Sequence, residues 1–124
     1  MIEYTVKVYL NCYKEWYLNG RLHREDGPAI EFPNGSKEWY LNGKRHREDG
    51  PAMEFPNGDK FWYLNGKLHR ECGAAIEWDS GDKNWWLNGE EVTEEEHRRR
   101  TSKTKELTVQ EISDLLGYEV KVVK

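Results

Sequence analysis

Apolar and polar residues alternate in short runs from the start of the chain. Residues 2–10, IEYTVKVYL, set Ile2, Tyr4, Val6, Val8 and Leu10 against Glu3, Thr5, Lys7 and Tyr9, the period of two expected of a strand with one buried face. Residues 37–41 alternate in the same way, with Trp39 and Leu41 on one side and Glu38 and Tyr40 on the other. Asn42-Gly43 follows, a strong hairpin signal because both residues tolerate positive φ. After a polar stretch containing His46-Arg47-Glu48-Asp49-Gly50, a second short apolar run carries Met53 and Phe55, and Pro56-Asn57-Gly58 turns the chain again. This whole block is written nearly three times. Its copies start at Lys14, Lys37 and Lys60, and a fourth begins at Lys83, always 23 residues apart.

A fixed period of this length predicts stacked supersecondary units, none of which buries its apolar side alone. Residues 8–16 align with 31–39, so the first strand reads as the second half of an incomplete unit. That alignment puts Lys7 and Tyr9 where Ile30 and Phe32 stand, whereas simple alternation turns Val6 and Val8 inward. Stacking like on like predicts one face with rows of Trp16, Trp39, Trp62 and Trp85, of Leu18, Leu41, Leu64 and Leu87, and of Ile30, Met53 and Ile76 with Phe32, Phe55 and Trp78. Tyr17, Tyr40, Tyr63 and Trp86 then fall on the opposite face among Glu and Lys. In the last third, Thr93 and Glu96 form a capping box for a first helix, acidic at its start and basic at its end. A second box at Thr108 and Glu111 opens an apolar stripe of Val109, Ile112, Leu115 and Leu116, and residues 118–124 alternate as a closing strand. The fold class read from this pattern is mainly β: an antiparallel meander of about three and a half hairpin repeats with a C-terminal helical segment and a short closing strand. Residues 1–89 form the array and 90–124 a helix-helix-strand cap packed into the same domain.

Composition agrees with a folded chain. Of 124 residues 34% are charged, yet 13% are aromatic and six are Trp, a content that disordered chains lack. The net charge of -4 is spread evenly, with 12 basic against 14 acidic residues up to position 89 and 7 against 9 after it. Neither part carries the basic field of a general nucleic-acid binder. The absence of a long apolar run and of a leader-like start points to a soluble, cytoplasmic protein without membrane association. Cys12 falls where later copies have the turn glycines Gly35, Gly58 and Gly81, and Cys72 where the two earlier copies have Asp26 and Asp49. Their separation along the array argues against a disulfide, and no CxxC spacing suggests a metal.

The 23-residue period, the Asn-Gly-Lys-x-His corner and the Asp-Gly or Asn-Gly turn resemble MORN repeats over roughly residues 5–89. The family's short His-Gly-x-Gly corner is lengthened here to His-Arg-Glu-Asp-Gly-Pro-Ala. In this the chain is similar to the HREDGPA-type variant found in proteins of bacteriophages and large viruses. The resemblance implies an interaction module rather than an enzyme, with a viral or mobile-element origin and a host protein, including a defence protein, as the partner to be bound and inhibited.

Three parts of the chain carry candidate chemistry. The corner histidines His23, His46 and His69, with Arg24, Arg47 and Arg70 and the acids Glu25, Glu48 and Glu71, contain groups fit for acid-base work. A group repeated in register more often satisfies the same turn in each unit, and the expectation is that His and Asp bond corner backbone while Arg pairs with acids of the next unit. Phosphate loops, nucleophile elbows and HExxH are missing, so no catalytic residue, cofactor or metal site is expected. The basic run His97-Arg98-Arg99-Arg100 with Lys103 is a candidate nucleic-acid contact and otherwise suits a helix C-terminus. The sharpest candidate is the aromatic row Tyr17, Tyr40, Tyr63 and Trp86, with Glu38 and Arg47, as a protein-binding surface. Open sheet edges and aromatic rows also make a homodimer a candidate.

Overall fold

The computed structural model describes residues 3–102, and the second helix, the closing strand and Lys103 of the sequence reading lie outside them. The first strand, β1 (Thr5–Val8), precedes three copies of one arrangement. The first unit contributes β2 (Lys14–Leu18), β3 (Arg21–Leu22) and β4 (Ile30–Glu31). The second contributes β5 (Lys37–Glu38), β6 (Tyr40–Leu41), β7 (Lys44–Arg45) and β8 (Met53–Glu54). The third contributes β9 (Lys60–Phe61), β10 (Tyr63–Leu64), β11 (Lys67–Leu68) and β12 (Ile76–Glu77). The chain then runs through β13 (Lys83–Leu87) and β14 (Glu90–Val92) into α1 (Glu94–Thr101). Among the described residues the architecture is mainly β, an antiparallel hairpin meander followed by one helix. A ten-stranded sheet runs in the order β1-β2-β4-β5-β8-β9-β12-β13-β14, with β3 beside β2, while the pairs β6-β7 and β10-β11 stand off it.

Two turns build each unit. At each Leu-Asn-Gly turn both residues of the Asn-Gly pair have positive φ, 52° and 79° at Asn42 and Gly43, the backbone of a tight two-residue hairpin. The other turn closes with Phe32 N–H donating to the Ser36 carbonyl at 2.9 Å, and its third residue again has positive φ, 93° at Gly35. Cys12 occupies that same place at φ 70°, as its alignment with the turn glycines predicts. In the two middle units the long strand is interrupted at Trp39 and at Trp62, where the chain passes from one hairpin to the other.

The hairpin closed by Phe32 and Ser36 fixes the register, and the register overturns one expected face. Ile30 pairs with both Glu15 and Glu38, Met53 with Glu38 and Phe61, and Ile76 with Phe61 and Asn84. Direct partners share a face, so Ile30, Met53 and Ile76 lie with Glu38 and the tyrosines, not with the tryptophans. The opposite face carries Lys14, Glu31, Lys37, Glu54, Lys60, Glu77 and Lys83 in an unbroken row of alternating charge. The same register settles β1. Lys7 pairs with Glu15 and stands as Ile30 does, and Val6 and Val8 turn to the tryptophan side, 42% and 64% exposed. Among the described residues no corner lies over them.

Elsewhere the corners cover the tryptophan face. The guanidinium carbons of Arg24, Arg47 and Arg70 lie 4.0, 3.9 and 3.8 Å from the ring centroids of Trp16, Trp39 and Trp62. Ala29, Ala52, Ala74 and Ala75 are buried beneath the corners, small enough to let backbone lie close to backbone. Among the described residues no large side chain is fully buried, so their stability is distributed over repeated clamps instead of one central core. The fourth unit has Thr93 where the others have that arginine, and α1 supplies the substitute. His97, 3% exposed, sits 4.9 Å from Trp85, and its Nε2 lies 2.7 Å from the Arg70 carbonyl oxygen. The Thr93 hydroxyl accepts from Glu96 N–H at 3.0 Å, the cap predicted for this helix.

Candidate functional site

The tyrosine face is a sheet surface made of aromatic rings held by neighbours. The Lys7 ammonium lies 4.8 Å from the Tyr17 ring centroid, and the Arg45 guanidinium stands between Tyr40 and Tyr63 at 5.7 and 5.6 Å. Glu38 accepts from the Tyr40 hydroxyl at 2.9 Å and from Arg45 at 3.4 Å, and at 9% exposure it is the buried support of this row. Glu15 does the same one unit earlier, accepting from Tyr9 at 2.8 Å and Tyr13 at 3.0 Å. In the third unit Phe61 replaces that glutamate and packs edge-on between Phe55 and Trp78, with centroids 5.7 and 5.4 Å away. Tyr13 bridges Tyr9 and Phe32 at 5.2 and 5.1 Å. Trp86 ends the row, and its buried indole Nε1 has no hydrogen-bond partner among the described residues.

Electrostatics hold these phenols neutral. Burial first and then the Glu38 carboxylate push Tyr40 up to about 12, and burial with Glu15 does the same to Tyr13. Burial and Glu15 also raise Tyr17, and Tyr9 is raised chiefly by its hydrogen bond to Glu15. The face therefore offers rings and hydroxyl groups, with its carboxylates already engaged from within.

The corners serve a different purpose from the one expected of them. Nδ1 of His23, His46 and His69 accepts from the backbone N–H of Asn42, Asn65 and Asn88 at 2.8, 2.9 and 2.9 Å. Each histidine thus ties its corner to the Asn-Gly turn of the next unit, not to its own backbone. The arginines do the reverse of the expectation as well, pairing inside their own unit: Arg24 with Glu31 at 3.3 Å, Arg47 with Glu54 at 3.0 Å and Arg70 with Glu77 at 3.2 Å. Asp26 and Asp49 bind those arginines at 3.2 and 3.0 Å. Identical contacts in successive units are what a stacking device needs.

The predicted residues accordingly separate. Tyr17, Tyr40, Tyr63, Trp86 and Glu38 share one face, whereas Arg47 belongs to the clamp on the other. Open clefts of 670 and 600 Å³ lie between successive corners on that clamp side, floored by Trp39 and Leu41 and by Trp62 and Leu64. Arg98, Arg99 and Arg100 project from α1 and are paired with Glu94, with Glu96, and with Glu96 and Glu90. Among the described residues no group of three or more His, Cys, Asp or Glu is placed to hold a metal, and no helix is long and apolar enough to cross a membrane. Sequence reasoning missed Arg45 as the cation of the tyrosine row and Phe61 as the centre of an aromatic cluster. The signal for the second was visible, since the third copy reads KFW where the first two read KEW. No family model, no curated protein and no solved structure matches this chain.

Proposed function

We propose that the protein is a noncatalytic binding module that engages a protein partner through the tyrosine face. One observation supports this above the rest: the corner arginines and α1 lie over the tryptophans, while Tyr17, Tyr40, Tyr63 and Trp86 stay half-exposed on the opposite face. Aromatic rings fixed by packing and internal hydrogen bonds bring contact area at low entropic cost on binding. The resemblance to HREDGPA-type repeats is what selects a host protein as the partner and inhibition as the outcome, with action in the host cytoplasm. The competing reading, nucleic-acid binding through the basic run, is disfavoured by the pairing of Arg98, Arg99 and Arg100 with glutamates of the same segment.

The test compares capture from host extract by three forms of the chain, with nuclease present and at two salt concentrations. The forms are wild type, Tyr17→Ser with Tyr63→Ser, and Arg98→Gln with Arg99→Gln and Arg100→Gln, each shown folded by circular dichroism. The expected result is one stoichiometric protein, resistant to nuclease and salt, retained by the arginine variant and lost from the tyrosine variant. Recovery of nucleic acid alone, weakened steeply by salt and lost from the arginine variant, overturns the proposal.

A further inference from the structure

We propose that the N-terminal edge of the sheet is a self-association site, at which β1 of one copy pairs antiparallel with β1 of a second. The two ends of the array are not alike. At the C-terminal end α1 closes over Trp85, and Arg100 of that helix reaches Glu90 of β14 at 3.7 Å. At the N-terminal end β1 is the outermost strand among the described residues, and all four of its residues are exposed. Val6 at 42%, Val8 at 64% and Leu10 at 108% exposure make this edge apolar as well as open.

The repeat itself says what this edge lacks. Val6 stands where Ala29, Ala52 and Ala75 stand, and the carbonyls of those three accept from the N–H groups of Trp16, Trp39 and Trp62 at 2.7 Å. Val8 stands where Glu31, Glu54 and Glu77 stand, each of which pairs with a lysine of the preceding strand as well as one of the following strand. Among the described residues no strand pairs with the outer side of β1. Tyr9 donates to the Tyr13 carbonyl at 2.9 Å, so the backbone of Tyr9, Lys7 and Thr5 is directed to β2. By antiparallel alternation the backbone groups of Val6 and Val8 are directed outward.

Charge selects the occupant and the register. With the two-fold axis at Thr5, Glu3 of each copy stands opposite Lys7 of the other, and Tyr4 stands opposite Val6. This register puts the outward backbone of Tyr4 and Val6 in hydrogen-bonding positions and the two Glu-Lys contacts in the closely spaced pairs between them. Moving the axis to Lys7 sets lysine against lysine, and moving it to Val6 leaves both charges without a counterpart. A second copy of this chain is therefore the complementary strand, and pairing joins two ten-stranded sheets into one. The site lies at the end of the array and shares Lys7, whose ammonium lies over the Tyr17 ring, with the tyrosine face.

Sedimentation velocity over a dilution series of the untagged full chain tests this. Wild type is expected to dimerise. Lys7→Glu and Glu3→Lys each turn two attractive cross-strand contacts into two repulsive ones, and each is expected to weaken the dimer by about ten- to a hundredfold. The doubly exchanged chain, Glu3→Lys with Lys7→Glu, recovers dimerisation, and so does an equimolar mixture of the two single variants, which then meet as a heterodimer. Circular dichroism and a thermal melt establish that each variant is folded. A wild type that stays monomeric overturns the proposal. So does a dimer indifferent to both reversals, or folded single variants that fail to associate when mixed.

Discussion

Replacing Arg47 by alanine tests whether the corner clamp holds the array together. Its guanidinium lies 3.9 Å from the Trp39 centroid, donates to the Pro51 carbonyl at 3.1 Å, and meets Glu54 and Asp49 at 3.0 Å each. The side chain is 21% exposed, so the stacking is mostly desolvated and contributes about 1–2 kcal/mol. The bond to Pro51 adds about 1 kcal/mol. Of the two ion pairs, Asp49 is 87% exposed and Glu54 35%, so each is worth at most about 1 kcal/mol. Arg47→Ala is expected to cost about 3 kcal/mol in urea unfolding, or roughly 10–20 °C in Tm for a domain of this size. Gly50→Ala supplies the control, because a Cβ there would meet the Arg47 guanidinium carbon at 2.8 Å although Gly50 has no positive φ to forbid alanine. Its cost is the displaced clamp, so the double variant should unfold at the same urea concentration as Arg47→Ala alone. A loss below about 0.5 kcal/mol for Arg47→Ala, or full additivity with Gly50→Ala, refutes the clamp.

Three further outcomes follow from the same contacts. His23 is 5% exposed and its bond to Asn42 is part-buried, whereas the bond from Asn65 to His46 is open to water, so His23→Ala should cost about 1–3 kcal/mol and His46→Ala clearly less by urea unfolding. An eight-residue helix does not persist alone, so His97→Ala should raise amide exchange throughout Glu94–Thr101 while the sheet stays protected. The phenols of Tyr13 and Tyr40 are pushed up to about 12 in the fold and ionise near 10 in the unfolded chain. Their contribution to stability is complete below pH 10 and disappears as pH rises from 10 towards 12, so unfolding free energy should fall across that window. Tyr13→Phe with Tyr40→Phe should flatten the fall, and phenolate absorbance should show two fewer late-titrating groups.

Period, hairpins and helix cap were legible because each rests on a local rule. Asn42-Gly43 between two strand runs makes a two-residue hairpin with positive φ at both residues, the glycine-like site at Cys12 is set by a turn of fixed length, and Thr93 with Glu96 closes a cap within four residues. The tyrosine row was legible for the same reason, since Glu38 and Tyr40 are two apart along the chain. Which apolar residues join that row was not. The phase between Tyr40 and Ile30 is not carried along the chain through the His-Arg-Glu-Asp corner, but is set by the hairpin closed at Phe32 and Ser36, and a shift of one residue changes the face. Val6 and Val8 were misplaced by alternation because burial depends on what lies above a residue, and among the described residues no corner lies above them. The sequence on its own determined the repeating unit, its turns and its chemistry. Only tertiary contact decided that each histidine serves the unit after it, that each arginine serves its own, and that His97 takes the place of the arginine missing at Thr93. Those choices depend on distances between residues 4 to 27 positions apart, which no local pattern specifies.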